Sequence, residues 1–303
     1  MLPAIRSAFA AHGVVEVRLT REWRDERKLA ADAIAEGFTT IVSVGGDGTT
    51  GNVANAILHS GADIRLGVIP AGTGDDFAKA LGTGGKSLEM VARKSVESAE
   101  WRVDVGCVED TFFLNSCGFG FDVAVLQGVS ETGWLRGNAV YIYTALRQLL
   151  RFRGLNITIE SSAGKRERDL YMMLVVANAP WFGGAFLIAP SALVTDGELD
   201  AVLVHDASAA RRLRMLAAAT RGRHPVYPEV RVERAAEFTV GFDDVPFYEA
   251  DGEVHEAKSA TLNIRCVPGA LRVVTGDDGL RLPKTPGIPS SDSRANFVVH
   301  PTR

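Results

Sequence analysis

The chain has 303 residues, enough for about two domains, and its 46% apolar and 23% charged content is typical of a globular protein. The formal net charge of −4 argues against a general nucleic-acid binder, which is normally basic. Its three cysteines (Cys107, Cys117 and Cys266) have no metal-type spacing, so we expect reduced thiols and a cytoplasmic protein. No run approaches the about 18 apolar residues of a membrane-spanning helix, and residues 1–13 show no signal peptide.

The first hundred residues alternate helix and strand patterns. EWRDERKLAADAIAEG has helical spacing and stops at Gly37, and DDFAKALG indicates a short helix. TTIVSV and IRLGVI are short apolar, β-branched runs, which are typical of buried parallel strands. Strand–helix–strand alternation predicts an α/β domain over residues 1–103, with a parallel sheet covered by helices.

The pattern after Trp101 is mostly that of β-strands separated by Gly, Asp and Pro signals. It predicts an antiparallel, β-rich domain over residues 104–282, with two helices near Asn138–Phe152 and Ser208–Thr220. The last strand of this β-rich domain could return to the first domain. The segment 283–303 is rich in Pro and Ser, so we expect a disordered tail. The predicted strands are WRVDVGCV, TFFLNSCG, LNITIES, DLYMMLVVAN, ELDAVLVH, VRVER, EFTVGF, ATLNIRCV and LRVVTG.

The stretch IVSVGGDGTTGNVANAIL places a glycine turn between a strand and a helix. Such a turn binds anions, because glycine lets the backbone approach closely and the helix N-terminus offers free N–H groups. Asp47 stands inside it. A carboxylate beside a phosphate is repulsive unless a cation lies between them or the chemistry needs it. Asp47 therefore suggests Mg²⁺-nucleotide binding, with a plain DG turn as the alternative.

Two other phosphate-binding patterns are weaker. Gly46, Gly48 and Gly51 satisfy the dinucleotide fingerprint, but the next strand ends in GVIPAG without the acid that would hold a ribose. Gly85-Lys86-Ser87 imitates the end of a Walker loop, but it follows a helix pattern and has Ala80 at the first glycine position. We interpret this second segment as a linker between two helices.

Several motifs together resemble the diacylglycerol kinase family of lipid kinases, which includes sphingosine and ceramide kinases. They begin with GGDGT at 45–49 and IPAGTGDDFAKAL at 69–81. NAD kinases and phosphofructokinases share the first motif but lack the second. Further matches are RVDVG, FFLNSCGFGFDVAV, NAPWFGGAFLIAP, LVTDGELDAVLV, TRGRH and EADGEVHEAKSATLNIRCVPGALRVV.

The resemblance implies a three-layer α/β domain that binds ATP with Mg²⁺, and a β-rich domain that completes the cleft. It places the nucleotide contacts in the glycine turn, in the GTG turn and after an early strand. Ordinary turn chemistry remains the alternative for the GTG turn. The implied nucleotide-binding residues are Thr20, Gly45, Gly46, Asp47, Gly48, Thr49 and Thr73.

The resemblance also implies a catalytic base in the DGE motif. Asp251 would accept the proton of an alcohol during phosphoryl transfer, with Glu253 in its charge network and Asp47 as the other catalytic carboxylate. The alternative for Asp251 is a hairpin turn, since DG between two strand patterns is a common turn signal.

Two metal-linked groups follow from the same resemblance. Asp104 would belong to an acidic, metal-linked network, with a polar residue on a half-buried strand as the alternative. LVTDGEL resembles a structural Mg²⁺ loop whose ligands would be the Asp196 side chain and the carbonyls of Leu193 and Glu198. A solvated turn without metal is the alternative for this loop.

Three departures from the family pattern bear on function. Family members begin with a strand ending in an NPxSG-type turn, whereas this chain starts at MLPAIRSAF, which resembles the following helix. Either translation starts upstream of Met1 or a sheet strand and a nucleotide contact are missing. The family's acid shortly after GGDGT is Asn52 here, and Asp75 replaces an asparagine.

The leading hypothesis is an ATP- and Mg²⁺-dependent kinase of a lipid hydroxyl, with diacylglycerol as the default acceptor. Its partner would be lipid at the membrane surface, and the sequence leaves a homodimer open. WLRGNAVYIYTALRQLLRFRG, ARRLRMLAAATRGRH and PWFGGAFLIAP would serve that surface, or else pack as ordinary helices and a core loop. A catalytically impaired relative, or a kinase of a sphingoid base or NAD, is the alternative.

Overall fold

The structure is a computed structural model, and it describes residues 2–14, 16–22, 24–85, 87–96, 100–131, 144–145, 147–149, 151–164, 166–274 and 296–300. The chain divides into two compact units. Met1–Val105 and Pro268–Arg303 form the first unit, and Gly106–Val267 form the second. The chain crosses between the units once within a strand near residue 105 and again within a strand near residue 267.

The first part of the chain alternates helices and strands as predicted. Its elements are α1 (Leu2–Ala10), β1 (Val17–Leu19), α2 (Asp25–Ala35), β2 (Thr40–Gly45), α3 (Asp47–Ser60), β3 (Arg65–Pro70), α4 (Asp76–Ala80), α5 (Leu88–Val96) and β4 (Glu100–Val108). The segment Ala80–Ser87 joins α4 to α5 and follows no strand, which agrees with its interpretation as a linker.

The rest of the described chain is mostly β-structure. Its elements are β5 (Thr111–Phe113), β6 (Ser116–Gly120), α6 (Phe121–Glu131), β7 (Leu155–Ser161), β8 (Arg166–Ala177), β9 (Trp181–Phe182), β10 (Phe186–Leu187), β11 (Leu199–His205), α7 (Ala209–Ala219), a 3₁₀ turn (His224–Val226), β12 (Val230–Ala235), β13 (Glu237–Phe242), β14 (Phe247–Ala250), β15 (Glu253–Glu256), β16 (Thr261–Val274) and β17 (Asn296–His300).

The first unit is a parallel sheet between two layers of helices, with strand order β1-β17-β2-β3-β16. Val42 and Val44 of β2 pack with α1 and α5 on one face. Ser43 points the other way and contacts Thr50 of α3 through their hydroxyl groups, 3.2 Å apart. Because the strands run in parallel, their carboxyl ends share one edge, and the glycine turns follow β2 and β3 at that edge.

One strand of this sheet comes from the segment expected to be a disordered tail. Residues 296–300 form β17, which lies parallel to both of its neighbours, β1 and β2. The expectation of disorder is therefore wrong for these five residues. The rest of the predicted tail, residues 283–295 and 301–303, lies outside the described residues.

The second unit is built from antiparallel pairs around β8. The first half of β8 pairs with β7, its second half pairs with β6, and β11 pairs along its other side. The sheet continues from β7 to β13, from β6 to β14 and β15, and from β11 to β12. A core of aromatic and aliphatic side chains, including Phe119, Tyr171 and Phe238, is fully buried in this unit.

Two predicted strand boundaries are wrong. TFFLNSCG is two strands, because the backbone leaves the ladder at Leu114 and Asn115 to donate hydrogen bonds to a side chain. ATLNIRCV and LRVVTG, predicted as two strands, form the single strand β16. Pro268 and Gly269 do not end it, although Gly269 takes a positive φ of 58°.

The helix predicted at Ser208–Thr220 is confirmed as α7 with those two residues as its caps. The helix predicted near Asn138–Phe152 falls partly outside the described residues, and residues 144–145, 147–149 and 151 are helical. Within the described part of the chain, no helix is both long and apolar enough to cross a bilayer.

Candidate active site

The GGDGT turn is shorter than the sequence indicates. β2 ends at Gly45, Gly46 caps the next helix with an extended backbone, and Asp47 is already the first residue of α3. The expectation that Asp47 stands inside the turn is therefore wrong, because it already belongs to the helix. Gly48 and Thr49 occupy the rest of the first helical turn, so the predicted nucleotide residues surround a helix N-terminus, where free N–H groups favour an anion.

The two glycine turns touch through bare backbone. A Cβ atom on Gly46 would lie 3.2 Å from Gly72 Cα, and one on Gly72 would collide with Gly46 Cα. The Ala71 N–H also donates to the Gly45 carbonyl at 2.9 Å. Gly45 itself leaves no room for a side chain, since its Cβ would lie 2.6 Å from Thr49 Cβ. The glycines are thus needed to bring the two motifs together.

Three carboxylates gather at this junction. Asp47 Oδ1 accepts the Phe77 N–H at 3.1 Å, which ties α3 to α4. Asp75 holds its own turn, because its Oδ1 accepts the Gly72 N–H at 2.9 Å. Burial raises the pKa of Asp75, and the charges of Asp47 and Asp76 raise it further. Asp76 is buried and forms an ion pair with Lys79 at 2.9 Å.

This donor set fits a divalent cation. The rise in the pKa of Asp75 reflects repulsion from the neighbouring carboxylates, which a hard cation would relieve, and carboxylate oxygens are the ligands that Mg²⁺ prefers. Asp47 and Asp75 are the residues that would hold the ion or its water molecules. Sequence reasoning named Asp75 only as a departure and missed Asp76, although both directly follow the GTG turn.

The two predicted threonine contacts lie at the same edge of the sheet. Thr20 directly follows β1 and is 3% exposed, whereas Thr73 is exposed in the turn after β3. Both follow carboxyl ends of parallel strands, where ligands of open α/β sheets bind. Their contact with a nucleotide stays a prediction.

Asn52, the residue that replaces a family acid, has a structural explanation. Its side chain is 3% exposed and lies between α2 and α3. Its amide donates to Glu26 at 2.7 Å, and its carbonyl oxygen accepts from Arg27 at 2.5 Å. An amide can serve both partners at once, which a carboxylate at this position cannot do. The carboxylate of Glu26, on the neighbouring helix, thus lies beside this position.

Asp104 is buried on β4, with 3% of its surface exposed. Its Oδ1 accepts the Gly269 N–H at 2.7 Å, at the positive-φ glycine inside β16. This contact gives Asp104 a structural role within the first unit. Its membership of an acidic metal network stays a prediction.

In the second unit, Asp251 and Gly252 form the hairpin turn between β14 and β15, with φ of 48° and 86°. The Asp251 carboxylate reaches the gap between β5 and β6. Its oxygens accept the N–H groups of Leu114 at 2.6 Å, Asn115 at 2.8 Å and Ser116 at 3.2 Å. Asp251 is therefore more than a turn residue, because three backbone donors fix its orientation. Glu253 begins β15 on the other side of the turn.

A second pair of acids lies beside this turn, and sequence reasoning missed it. Glu249 is 2% exposed and Asp122 is 6% exposed. Glu249 Oε2 accepts the Gly252 N–H at 2.7 Å, while Glu249 Oε1 and both Asp122 oxygens are buried without a hydrogen-bond partner among the described residues. Both carboxyl groups pack over Gly118, whose Cβ would collide with Asp122 and lie 2.9 Å from Glu249 Oε1.

Burial favours the protonated forms of these two acids. Desolvation raises the pKa of Asp122 to about 7, and it raises that of Glu249 well above its ordinary value. The Asp122 charge adds to the rise at Glu249, while the Gly252 N–H opposes it. The only sequence signal was an acid following GFGF and an acid two residues before DGE, which have no spacing relation to each other.

The predicted magnesium loop already faces a cation. Asp196 Oδ1 accepts the Glu198 N–H at 3.2 Å, and its Oδ2 lies 3.6 Å from the Arg234 guanidinium. Arg234 also pairs with buried Asp200 at 2.8 Å. Binding of Mg²⁺ by the Asp196 side chain and the Leu193 and Glu198 carbonyls stays a prediction. The Arg234 guanidinium would compete with such an ion for the Asp196 carboxylate.

Two segments predicted to serve a lipid surface come together in the second unit. PWFGGAFLIAP forms the β9–β10 hairpin, and TRGRH follows α7. A Cβ on Gly222 would lie 2.8 Å from a Leu187 methyl carbon, and His224 Nε2 lies 2.8 Å from the Ile188 carbonyl oxygen. Most of WLRGNAVYIYTALRQLLRFRG lies outside the described residues.

Models of known protein families match both halves of the chain. The sequence model of the diacylglycerol kinase catalytic domain matches residues 1–108, and that of the YegS C-terminal NAD kinase beta sandwich-like domain matches residues 115–275. A diacylglycerol kinase of Mycobacterium tuberculosis is 30% identical over 82% of this chain and 81% of its own length. The chain belongs to the diacylglycerol kinase family.

Two further comparisons agree with this assignment. A Pseudomonas aeruginosa protein named "Probable lipid kinase YegS-like" is 30% identical over 89% of this chain and 88% of its own length. A diacylglycerol kinase structure from Bacillus anthracis superposes with a TM-score of 0.66 at 19% identity, covering 86% of this chain and 85% of that one. The family resemblance inferred from the motifs is thus confirmed, as is the fold class.

Asp251→Asn is expected to destabilise this diacylglycerol kinase relative. An amide has only one oxygen, and its NH₂ group cannot accept a hydrogen bond. At least one of the three backbone N–H groups would therefore lose its partner, at a cost of about 1–3 kcal/mol. Urea unfolding measures the change, and Asp244→Asn, on an exposed aspartate of the preceding turn, is the control. Equal stability of both variants would show that the three hydrogen bonds contribute little.

The buried acid pair predicts a pH dependence. Between the ordinary Asp122 pKa of 3.8 and its native pKa of about 7, the folded chain keeps a proton that the unfolded chain releases. The free energy of unfolding should therefore fall as pH rises through this window, by at most about 1.4 kcal/mol per pH unit for this group. In Asp122→Asn this fall should be smaller. Urea unfolding from pH 4 to 8 decides it, and curves parallel to wild type would contradict the raised pKa.

Proposed function

We propose that the chain is an ATP- and Mg²⁺-dependent lipid kinase that transfers the γ-phosphoryl group to a lipid hydroxyl, with diacylglycerol as the default acceptor. The observation that carries this proposal is the junction of the two glycine turns in the first unit. There, a helix N-terminus and a set of carboxylates meet at the carboxyl edge of a parallel sheet. A phosphate-binding backbone beside acids suits a nucleotide that arrives with its metal.

We assign phosphate and metal binding to the first unit. The N–H groups at the start of α3, over Gly46 to Thr49, would cradle phosphate oxygens without a Walker lysine. Asp47 and Asp75 would hold Mg²⁺, and Thr20 and Thr73 would contact the nucleotide. When bound, the metal supplies positive charge against the developing charge on the transferred phosphoryl group.

We assign the removal of the hydroxyl proton to Asp251. As the bond from phosphorus to the lipid oxygen forms and the bond to the ADP oxygen breaks, the hydroxyl proton must leave. A carboxylate held in one orientation by three N–H donors can align that hydroxyl and receive its proton. Glu253 and Asp47 are the other carboxylates proposed to take part in the chemistry.

Diacylglycerol is favoured as the acceptor because relatives at 30% identity carry that name or that of a lipid kinase. The apolar β9–β10 hairpin beside the end of α7 supports a substrate that carries acyl chains, presented at the membrane surface. A catalytically impaired relative, which the replacement of a family acid by Asn52 motivates, is less favoured because the Asn52 side chain has two hydrogen-bond partners.

Asp47→Asn tests the proposed role of the first unit in binding the metal-nucleotide. The amide oxygen can still accept the Phe77 N–H, so the fold is kept while the charge is lost. We expect phosphate transfer from labelled ATP to diacylglycerol vesicles to fall by about 100-fold or more, the scale of removing a group that acts on the transition state. Glu89→Gln removes an exposed first-turn acid from another helix of the same unit, and it should stay near wild type.

Near-normal transfer by Asp47→Asn would contradict the metal-nucleotide role of this turn. The same assay with a sphingoid base and with NAD in place of diacylglycerol identifies the acceptor class. Faster transfer to either of these than to diacylglycerol would overturn the default substrate and leave the kinase assignment intact.

A further inference from the structure

β1 depends on a strand from the far end of the sequence. Among the described strands, the pairing of β1 is with β17, at Val17 with Val298, Arg18 with Val299 and Leu19 with His300. On its other side, β17 pairs with β2 from Asn296 to Val299. A three-residue strand has too few hydrogen bonds to stand alone, so β1 is joined to the sheet through β17.

The position of β17 also places it beside the candidate nucleotide site. Its carboxyl end, at His300, lies between the carboxyl ends of β1 and β2. Thr20 follows β1, and the glycine turn follows β2. Ligands of a parallel sheet bind at this edge, so the strand that separates β1 from β2 sets the distance between Thr20 and the glycine turn.

The sequence of β17 suits this position. NFVVH has adjacent valines and an aromatic residue, the composition of a strand that neighbours pair on both sides. The register is continuous with both partners, and α2 packs against the strand. The preceding stretch KTPGIPSSDS contains Pro, Gly and Asp, which disfavour strands.

We propose that Asn296–His300 is an integral strand of the nucleotide-binding unit, which holds β1 and therefore Thr20 in position at the nucleotide edge. The segment acts as a positioning element for the kinase reaction and not as a tail. Its effect on ATP rests on the proposed function, whereas its effect on the sheet does not.

Hydrogen exchange of the wild-type chain tests the strand directly. Backbone amides in a paired inner strand exchange only when the strand opens. We expect peptides covering 296–300 and 17–19 to be protected to a similar degree as those covering β2. Exchange of 296–300 at the rate of an unfolded peptide would overturn the proposal.

Val298→Pro tests the positioning role in the intact chain. Proline lacks the N–H that an inner strand donates, so we expect the melting temperature to fall by at least about 5 °C. Ser290→Pro, in the proline-containing stretch before the strand, is the matched control. If Val298→Pro melts as its control does, the segment does not hold the sheet.

The kinetic readout separates positioning from bulk stability. At a temperature where Val298→Pro remains folded, we expect KM for ATP to rise about tenfold, with kcat changed less, because the displaced edge contacts bound nucleotide. An unchanged KM would overturn the positioning role. If the wild type has no kinase activity but the exchange and melting results hold, the kinase proposal fails and the strand stands.

Discussion

The backbone contact between Gly46 and Gly72 is the constraint on which the candidate site depends. A Cβ atom on Gly72 would collide with Gly46 Cα, and one on Gly46 would lie only 3.2 Å from Gly72 Cα, so the glycines let the turn after β2 and the turn after β3 approach until their main chains touch. That approach brings Asp47 within hydrogen-bonding distance of the Phe77 N–H and sets its charge near Asp75. The glycines therefore have two effects at the candidate site, because they leave backbone groups uncovered there and bring the acids close to one another.

The sequence predicted much of the fold because buried parallel strands and glycine turns are local signals. β2, β3 and α7 lie where their patterns indicate. Partners that are distant in sequence were not predictable. Nothing near Asp251 indicates that its carboxylate accepts N–H groups about 135 residues earlier in the chain, at Leu114 to Ser116. The place of β17 was missed for the same reason, since composition described its flanking residues and not the strand.

The second unit places three neighbouring acids in different environments. Asp251 has three N–H donors, whereas Asp122 has a raised pKa and no partner for its oxygens among the described residues. Glu249 connects the two, because it accepts the Gly252 N–H and lies over Gly118 beside Asp122. Asp251 is thus fixed as the acceptor of three backbone N–H groups, whereas burial raises the pKa values of Asp122 and Glu249, so the environment distinguishes these neighbouring acids.

The affinity for ATP with and without Mg²⁺ tests most directly the claim that the carboxylates at the glycine turns serve a metal-nucleotide. Calorimetric titration of the wild-type chain with ATP would be run once in excess Mg²⁺ and once in excess chelator. Uncompensated acids repel the phosphates, so we predict that ATP binds at least about tenfold more tightly with Mg²⁺. Equal affinity in the two titrations would contradict the account, because the acids at the junction would then have no cation to hold.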